Sequence, residues 1–198
     1  MELKAFNRWS TEGIKVDDPG LQRYINLEPR IMPKTGARYA GSRFHKSKIF
    51  IVERLINKLM VSGHKGKKHY LTSGRNTGKS LSAYQLVEKA FTIIEKRLNK
   101  NPVEVFVKAL ENAAPREEII TIEYGGARYP KAVEVAPQRR IDLALRYMVQ
   151  GAYHKSFDKK RNSVSNLVDE IINAYQKTSS SNAIAKKFEL ERQADSSR

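Results

Sequence analysis

Residues 73–80 read SGRNTGKS, and glycines beside a lysine and a hydroxyl are what phosphate-binding loops are made of. A nucleotide P-loop has the form G-x-x-x-x-G-K-[ST], in which backbone N–H groups cradle the phosphates and the lysine reaches the outer ones. Gly78, Lys79 and Ser80 satisfy its end, but Gly74 is one residue too close and Ser73 stands where the first glycine belongs. The motif also needs an apolar strand ahead of it. Here the preceding residues are GHKGKKHYL, which would be costly to bury, and no apolar strand ends in an Asp that could hold magnesium. The local chemistry survives without a nucleotide. Glycines expose N–H groups, Arg75 and Lys79 add charge, and Ser80 or Ser82 is expected to cap the next helix, which together make an anion site at a helix N-terminus.

The charges around this loop are concentrated. The 198-residue chain carries 37 Lys and Arg against 21 Asp and Glu, a net charge of +16. Residues 30–80 hold 13 of those cations and one acid, Glu53, and so carry +12 of the total. An even excess would serve solubility, whereas a concentrated one marks a binding face for a polyanion. Within RIMPKTGARYAGSRFHKSK and SGHKGKKHYLTSGRNTGK the cations alternate with Tyr39, Phe44, Tyr70 and glycines. That mixture suits phosphate contacts combined with stacking on bases or sugars.

Helices must position these loops. Apolar residues recur at three and four from Ser47 to about Val61, from Ser82 to about Leu98, from Pro102 towards Ala114, from Pro137 to beyond Ala152 and from Ser163 to Tyr175. Asn101-Pro102 supplies an N-cap and a first-turn proline. After TSSSN a polar tail is expected to form a last helix anchored by Ile184, Phe188 and Leu190. One segment breaks the rhythm: REEIITIEYGGARYPKAVEV sets β-branched residues around Gly125-Gly126, the signal of a tight hairpin. A lone ribbon is unstable in water, so it must lean on the helices or on a partner. The expectation is mainly α: a single helical domain of about six helices with a protruding two-stranded β-ribbon.

The ribbon region carries Arg116, Arg128 and Lys131, and Arg139-Arg140 open the helix after Pro137. Cations in a first turn oppose the helix dipole, which hints at an external anion there. Arg146, Lys155 and Lys159 could extend the same stripe. Catalytic and metal readings are poor. His45, His64, His69 and His154 are scattered, there is no cysteine, and Glu117, Glu118 and Glu123 sit among arginines as an ordinary ion-paired surface would. No apolar run is long enough for a signal peptide or a membrane span, so a cytoplasmic protein without metal or cofactor is expected.

Several stretches resemble one family. NPVEVFVKALENAAPRE followed by IEYGGARYPKAVEVAPQRRIDLALRYMVQGA is similar to the small-subunit ribosomal protein S-seven family, in which a helix, a Gly-Gly ribbon and a Pro-x-Arg-Arg helix start follow in this order. IVERLINKLMVSGHKGKK resembles that family's first long helix and basic loop, and GRNTGKS falls on its Gly-Lys-rich loop. RWSTEGIKVDDPGLQRYINL and the terminal SSSNAIAKKFELERQADSSR are similar to its archaeal and eukaryotic branch. The resemblance implies a non-enzymatic protein that binds the 3′ major domain of small-subunit rRNA and nucleates folding of the head. It also implies a ribbon near the exit-site tRNA and the mRNA exit, head and platform proteins as neighbours, and no homo-oligomer. Carried over by position, the implied RNA contacts are Arg38, Arg43, Lys46, Lys48, Lys65, Lys67, Lys68, Arg75, Lys79, Arg116, Arg128, Lys131, Arg139, Arg140 and Arg146. Ser80 departs from the pattern, since many relatives carry a second lysine there.

Residues 1–198 are thus read as one RNA-binding domain with an N-terminal extension (1–30), a ribbon (117–135) and a C-terminal tail or helix (179–198). The extension and the tail are expected to be mobile without RNA. Two rivals stay open at this level: a P-loop-like nucleotide-binding protein, and a DNA-binding regulator using a helix-turn-helix and a ribbon.

Overall fold

Helix α6 (Ser163–Tyr175) is the least charged of the long helices, and the others pack around it. Leu167, Val168, Ile171 and Ala174 are fully buried, each large side chain contributing about 1.5–3 kcal/mol. The computed structural model describes residues 3–65, 68–69 and 76–198. A single turn, α1 (Pro19–Gln22), and a 3-10 turn at His45–Lys48 precede α2 (Ile51–Leu59). A two-residue antiparallel pair, β1 (His64–Lys65) and β2 (Lys68–His69), follows. Then come α3 (Ser80–Leu98), α4 (Pro102–Ala113), the ribbon strands β3 (Glu117–Tyr124) and β4 (Ala127–Glu134), α5 (Pro137–Ser156), α6 and α7 (Asn182–Asp195).

Most expected helix faces are the buried ones. Val103, Phe106, Val107 and Leu110 of α4 are inside, as are Ile141, Ala144, Leu145, Met148 and Ala152 of α5. Asn101 caps α4 by accepting a 3.0 Å hydrogen bond from the Val103 N–H. The ribbon pairs Glu117 with Glu134 through to Tyr124 with Ala127, and Gly125 and Gly126 turn it with φ of 56° and 83°. Two positive φ values in succession define a type I′ hairpin turn, which is why two glycines stand there. The ribbon leans on α7: the Arg116 N–H donates to Glu191, and Arg198 pairs with Glu117.

Four details differ from the sequence reading. Helix α2 starts at Ile51 rather than near Ser47, because Phe50 bridges Asn26 in extended form and the Ile51 N–H donates to Asn26 O at 3.0 Å. Neither Ser80 nor Ser82 caps α3; the cap position is Lys79, with no side-chain hydrogen bond. Phe188 does not anchor α7, being 56% exposed while Ile184 one turn earlier is 1% exposed. The N-terminal stretch is packed rather than loose. Phe6 and Trp9 lie against Phe91 at ring separations of 6.0 and 5.9 Å, Leu21 and Ile25 are buried, and Asn101 holds Ser10 O at 2.6 Å. Two aromatic rings in the first ten residues are too much apolar surface to leave in water.

The most deeply buried carboxylate of the helical packing is matched. The Glu170 carboxylate is fully buried, yet it receives Lys155 Nζ at 2.9 Å, Ser181 Oγ at 2.8 Å and the Ala183 N–H at 3.1 Å. Gly151 makes room for this knot: a Cβ there would stand 2.7 Å from the Asn182 Cβ and 2.9 Å from the Glu170 Cδ.

Candidate nucleic-acid interface

Glu53, the one acid of the basic segment, points inward. It is 1% exposed and accepts both the Thr35 N–H and the Thr35 hydroxyl at 2.7 Å. The carboxylate is therefore an anchor for the 30–48 loop and is not exposed among its cations. Arg30 lies over the Tyr39 ring at 5.7 Å and donates to its hydroxyl at 3.1 Å, which stiffens the loop on its other side. Arg38, Arg43, Lys46 and Lys48 are all exposed on it.

Between this loop, α2 and α5 lies a basic groove of about 380 Å³ lined by Tyr39, His45, Lys46, Arg54 and Lys58. Asp142 sits at its floor. It pairs with Lys46 at 2.8 Å and with the buried Arg54 at 3.0 Å, so α5 is tied to α2 and to the loop at once. Burial alone would raise the Asp142 pKa, but the Lys46 hydrogen bond and the Arg54 charge outweigh it and hold the carboxyl below its ordinary value. Lys58 shows the opposite balance: burial, reinforced by Arg146, lowers its pKa. Four cations around one carboxylate leave the groove positive, and a low-dielectric wall strengthens its field.

At the loop's edge Phe44 is 57% exposed with φ of 56°, a left-handed backbone that bulky residues rarely adopt. The Arg43 guanidinium lies 5.2 Å from its ring centre. An exposed ring with an arginine on it is a platform for an unpaired base.

The phosphate-loop candidate is only partly in view. Lys67 and Arg75 lie outside the described residues, and of Lys65 and Lys68 only the backbone is described. Gly78 has φ of 76°, Lys79 is exposed, and the first turn of α3 carries no acid and no side-chain cap. Both sheets among the described residues are two-stranded and antiparallel, so no parallel-sheet strand feeds this turn as a nucleotide P-loop requires.

The remaining candidates divide. Arg128 and Lys131 are exposed on the ribbon, where Arg128 faces Glu123 across the strands at 3.5 Å. Tyr124 and Tyr129 are 71% and 57% exposed at its tip. Arg116 is exposed at the ribbon base. The anion that compensates Arg139 and Arg140 is internal: Arg139 binds Glu118 through two nitrogens at 2.7–2.9 Å, and Arg140 holds Asp18 at 2.7 Å and Pro115 O at 3.1 Å. Burial acts to raise the Asp18 pKa, but Arg140 and the Gly20 N–H hold it below its ordinary value. Arg146 is half-buried beside Lys58, while Lys155 turns away to Glu170 and leaves the stripe. Glu117, Glu118 and Glu123 are each ion-paired, as their arginine-rich surroundings suggested. The roles of Arg54 and Asp142 went unread in the sequence, since their meeting across 88 positions leaves no local signal.

A helical body with a basic loop face and a tyrosine-tipped ribbon is the frame of an RNA-binding structural protein. The chain belongs to the family described as ribosomal protein S7p/S5e, whose model matches residues 21–198, a family of structural proteins without enzymatic activity. It is 55% identical over 198 residues to the small ribosomal subunit protein uS7 of Nanoarchaeum equitans, covering all of both chains. It is 46% identical over 197 residues to the protein of the same name from Archaeoglobus fulgidus, covering 100% of this chain and 96% of that one. Among the described residues no helix is long and apolar enough to cross a membrane.

Proposed function

We propose that this protein is a structural component of the small ribosomal subunit in the cytoplasm, and that it grips small-subunit rRNA through the 30–48 loop, the start of α3 and the ribbon. The observation that carries this reading is the burial of Glu53, the one acid of residues 30–80, which leaves the exposed cations of that segment with no exposed carboxylate among them. Arg38, Arg43, Lys46, Lys48 and Lys79 are its phosphate contacts, with Lys65, Lys67, Lys68 and Arg75 from the adjoining loop. Arg128 and Lys131 extend it along the ribbon. Arg116 and Arg146 flank the face, and Arg139 and Arg140 act on it through the carboxylates they hold. The RNA is the 3′ major domain, whose folding into the head this binding nucleates. The ribbon then lies near the exit-site tRNA and the mRNA exit, and head and platform proteins are the neighbours.

Each phosphate contact releases counterions, so affinity falls with salt by about 0.7–0.9 in log–log slope per contact. Filter binding of a 3′ major domain transcript across a salt series tests the assignment. Arg38→Ala and Lys48→Ala each lower the slope by about one contact's share. An unchanged slope in both, or equal affinity for duplex DNA at moderate salt, overturns it.

A further inference from the structure

At the flank of the RNA face marked by Arg116, the end of α4, the base of the ribbon and α7 enclose a recess of about 480 Å³. A second recess of about 290 Å³ adjoins it, and the two share Arg116, Lys187 and Phe188. Lys187 is half-buried, and its ammonium donates to Asn112 O at 2.9 Å, with no carboxylate of the described residues in ion-pair distance. Burial lowers its pKa; Glu191 opposes this, and Arg116, Arg140 and Lys177 push the same way as burial. Glu191 accepts the Arg116 N–H and stands in no ion pair among the described residues, while the other nearby acids are committed. Asp17 and Glu111 are taken by Lys108, Asp18 by Arg140, and Glu117 and Asp195 by Arg198. Arg116, Lys177 and Lys187 are left as three cations around one opening with no carboxylate ion-paired to them among the described residues.

Phe188 stands at the junction of the two recesses. Its ring is more than half exposed among the described residues, on a helix whose preceding turn is buried. A partly desolvated cation beside an uncovered aromatic ring is the composition of an interface centre, where aromatic anchors and fully desolvated charge pairs concentrate.

We propose that this recess receives an acidic side chain, with an apolar neighbour over Phe188, from another protein of the assembled small subunit; the proposal rests on the ribosomal reading above. The carboxylate sits among Lys187, Lys177 and Arg116 and gives them an ion-pair partner that Glu191 alone does not supply. A protein segment fits better than an RNA strand. Asp17, Glu191 and Asp195 line the same walls, and a chain of successive phosphates would meet them, whereas one carboxylate inserts between them.

Amine acylation read by mass spectrometry tests this on three samples: the free protein, its complex with a 3′ major domain transcript, and the complete small subunit. Lys187 and Lys177 react in the first two. In the subunit Lys187 is protected at least about tenfold, the loss of neutral amine expected from a one-unit rise in pKa, before steric cover is counted. Reaction undiminished in the subunit overturns the proposal, and protection already in the transcript complex assigns the recess to RNA and overturns it too. Lys46 and Lys48 report separately on the RNA face: if they stay reactive in the transcript complex, the rRNA reading fails while the subunit arm still decides the recess. A Lys177→Glu/Phe188→Ser variant, both positions exposed, binds the transcript like the parent but loses to it in competitive assembly of the subunit. Equal incorporation overturns the docking surface.

Discussion

Thr35 and Glu53, 18 positions apart, share one carboxylate oxygen: the threonine's N–H and hydroxyl both reach Oε1 at 2.7 Å. This contact holds the arginine-rich loop on the body of the protein. Glu53→Ala removes both hydrogen bonds and leaves a buried N–H without its partner, at a cost of about 1–3 kcal/mol. Urea unfolding reads the loss as a lower midpoint at an unchanged slope. A variant as stable as the parent would show that the loop does not depend on this anchor.

The Asp142 carboxyl, held below its ordinary pKa, makes part of the stability pH-dependent. Because its folded pKa is depressed, the contribution is fully present above the unfolded value of about 3.9 and is lost as the pH falls through the folded value. Asp142→Asn therefore costs about 1–3 kcal/mol at neutral pH, Arg54 losing a charged partner inside the protein. The gap in melting temperature between parent and variant stays constant down to about pH 4 and closes below it. A gap that persists in acid would mean that packing, not charge, carries the difference.

Phe44 separates binding from stability. Its left-handed backbone costs a non-glycine residue about 1–2 kcal/mol, and a glycine gives back about 0.5–1 kcal/mol in chain entropy. Phe44→Gly thus leaves the free protein within about 1 kcal/mol of the parent while removing about 1–3 kcal/mol of stacking on a base. The salt slope is unchanged, since no charge is lost. Unaltered transcript affinity would remove Phe44 from the interface.

Arg140→Ala frees Asp18 and Pro115 O together. Hydrogen bonds to charged groups contribute about 1.5–3 kcal/mol, and here they fasten α1 to α5. Trp9 is the single tryptophan, so its fluorescence reports on the N-terminal stretch. Amide exchange across residues 5–25 rises in the variant, and Trp9 emission shifts to the red if the stretch lifts off Phe91. An unchanged exchange pattern would mean that Arg140 does not hold this stretch down.

The helices were legible because their periodicity is local. Pro102–Ala113 has a cap, a proline and an apolar stripe within about a dozen residues, Ser163–Tyr175 has its strict apolar stripe, and Gly125-Gly126 announces the ribbon by backbone demand alone. The charge of residues 30–80 was equally plain, but its direction was not. Whether Glu53 faced water or Thr35, and whether Arg139 and Arg140 faced RNA or Glu118 and Asp18, depended on partners distant in the chain. Phe188 misled for the reverse reason: periodicity places a ring on a face but does not say that the rest of the chain extends far enough to cover it.

The early aromatics bear on the order of events while the chain is being made. Trp9 docks on Phe91, and Asp18 meets Arg140 across 122 positions, so an earlier-made segment waits for a later one to close over it. Contacts of such separation form late and slowly. During that interval the nascent chain exposes two adjacent rings, which gives a chaperone a defined place to hold and makes this stretch the point where unfinished molecules would cling to one another.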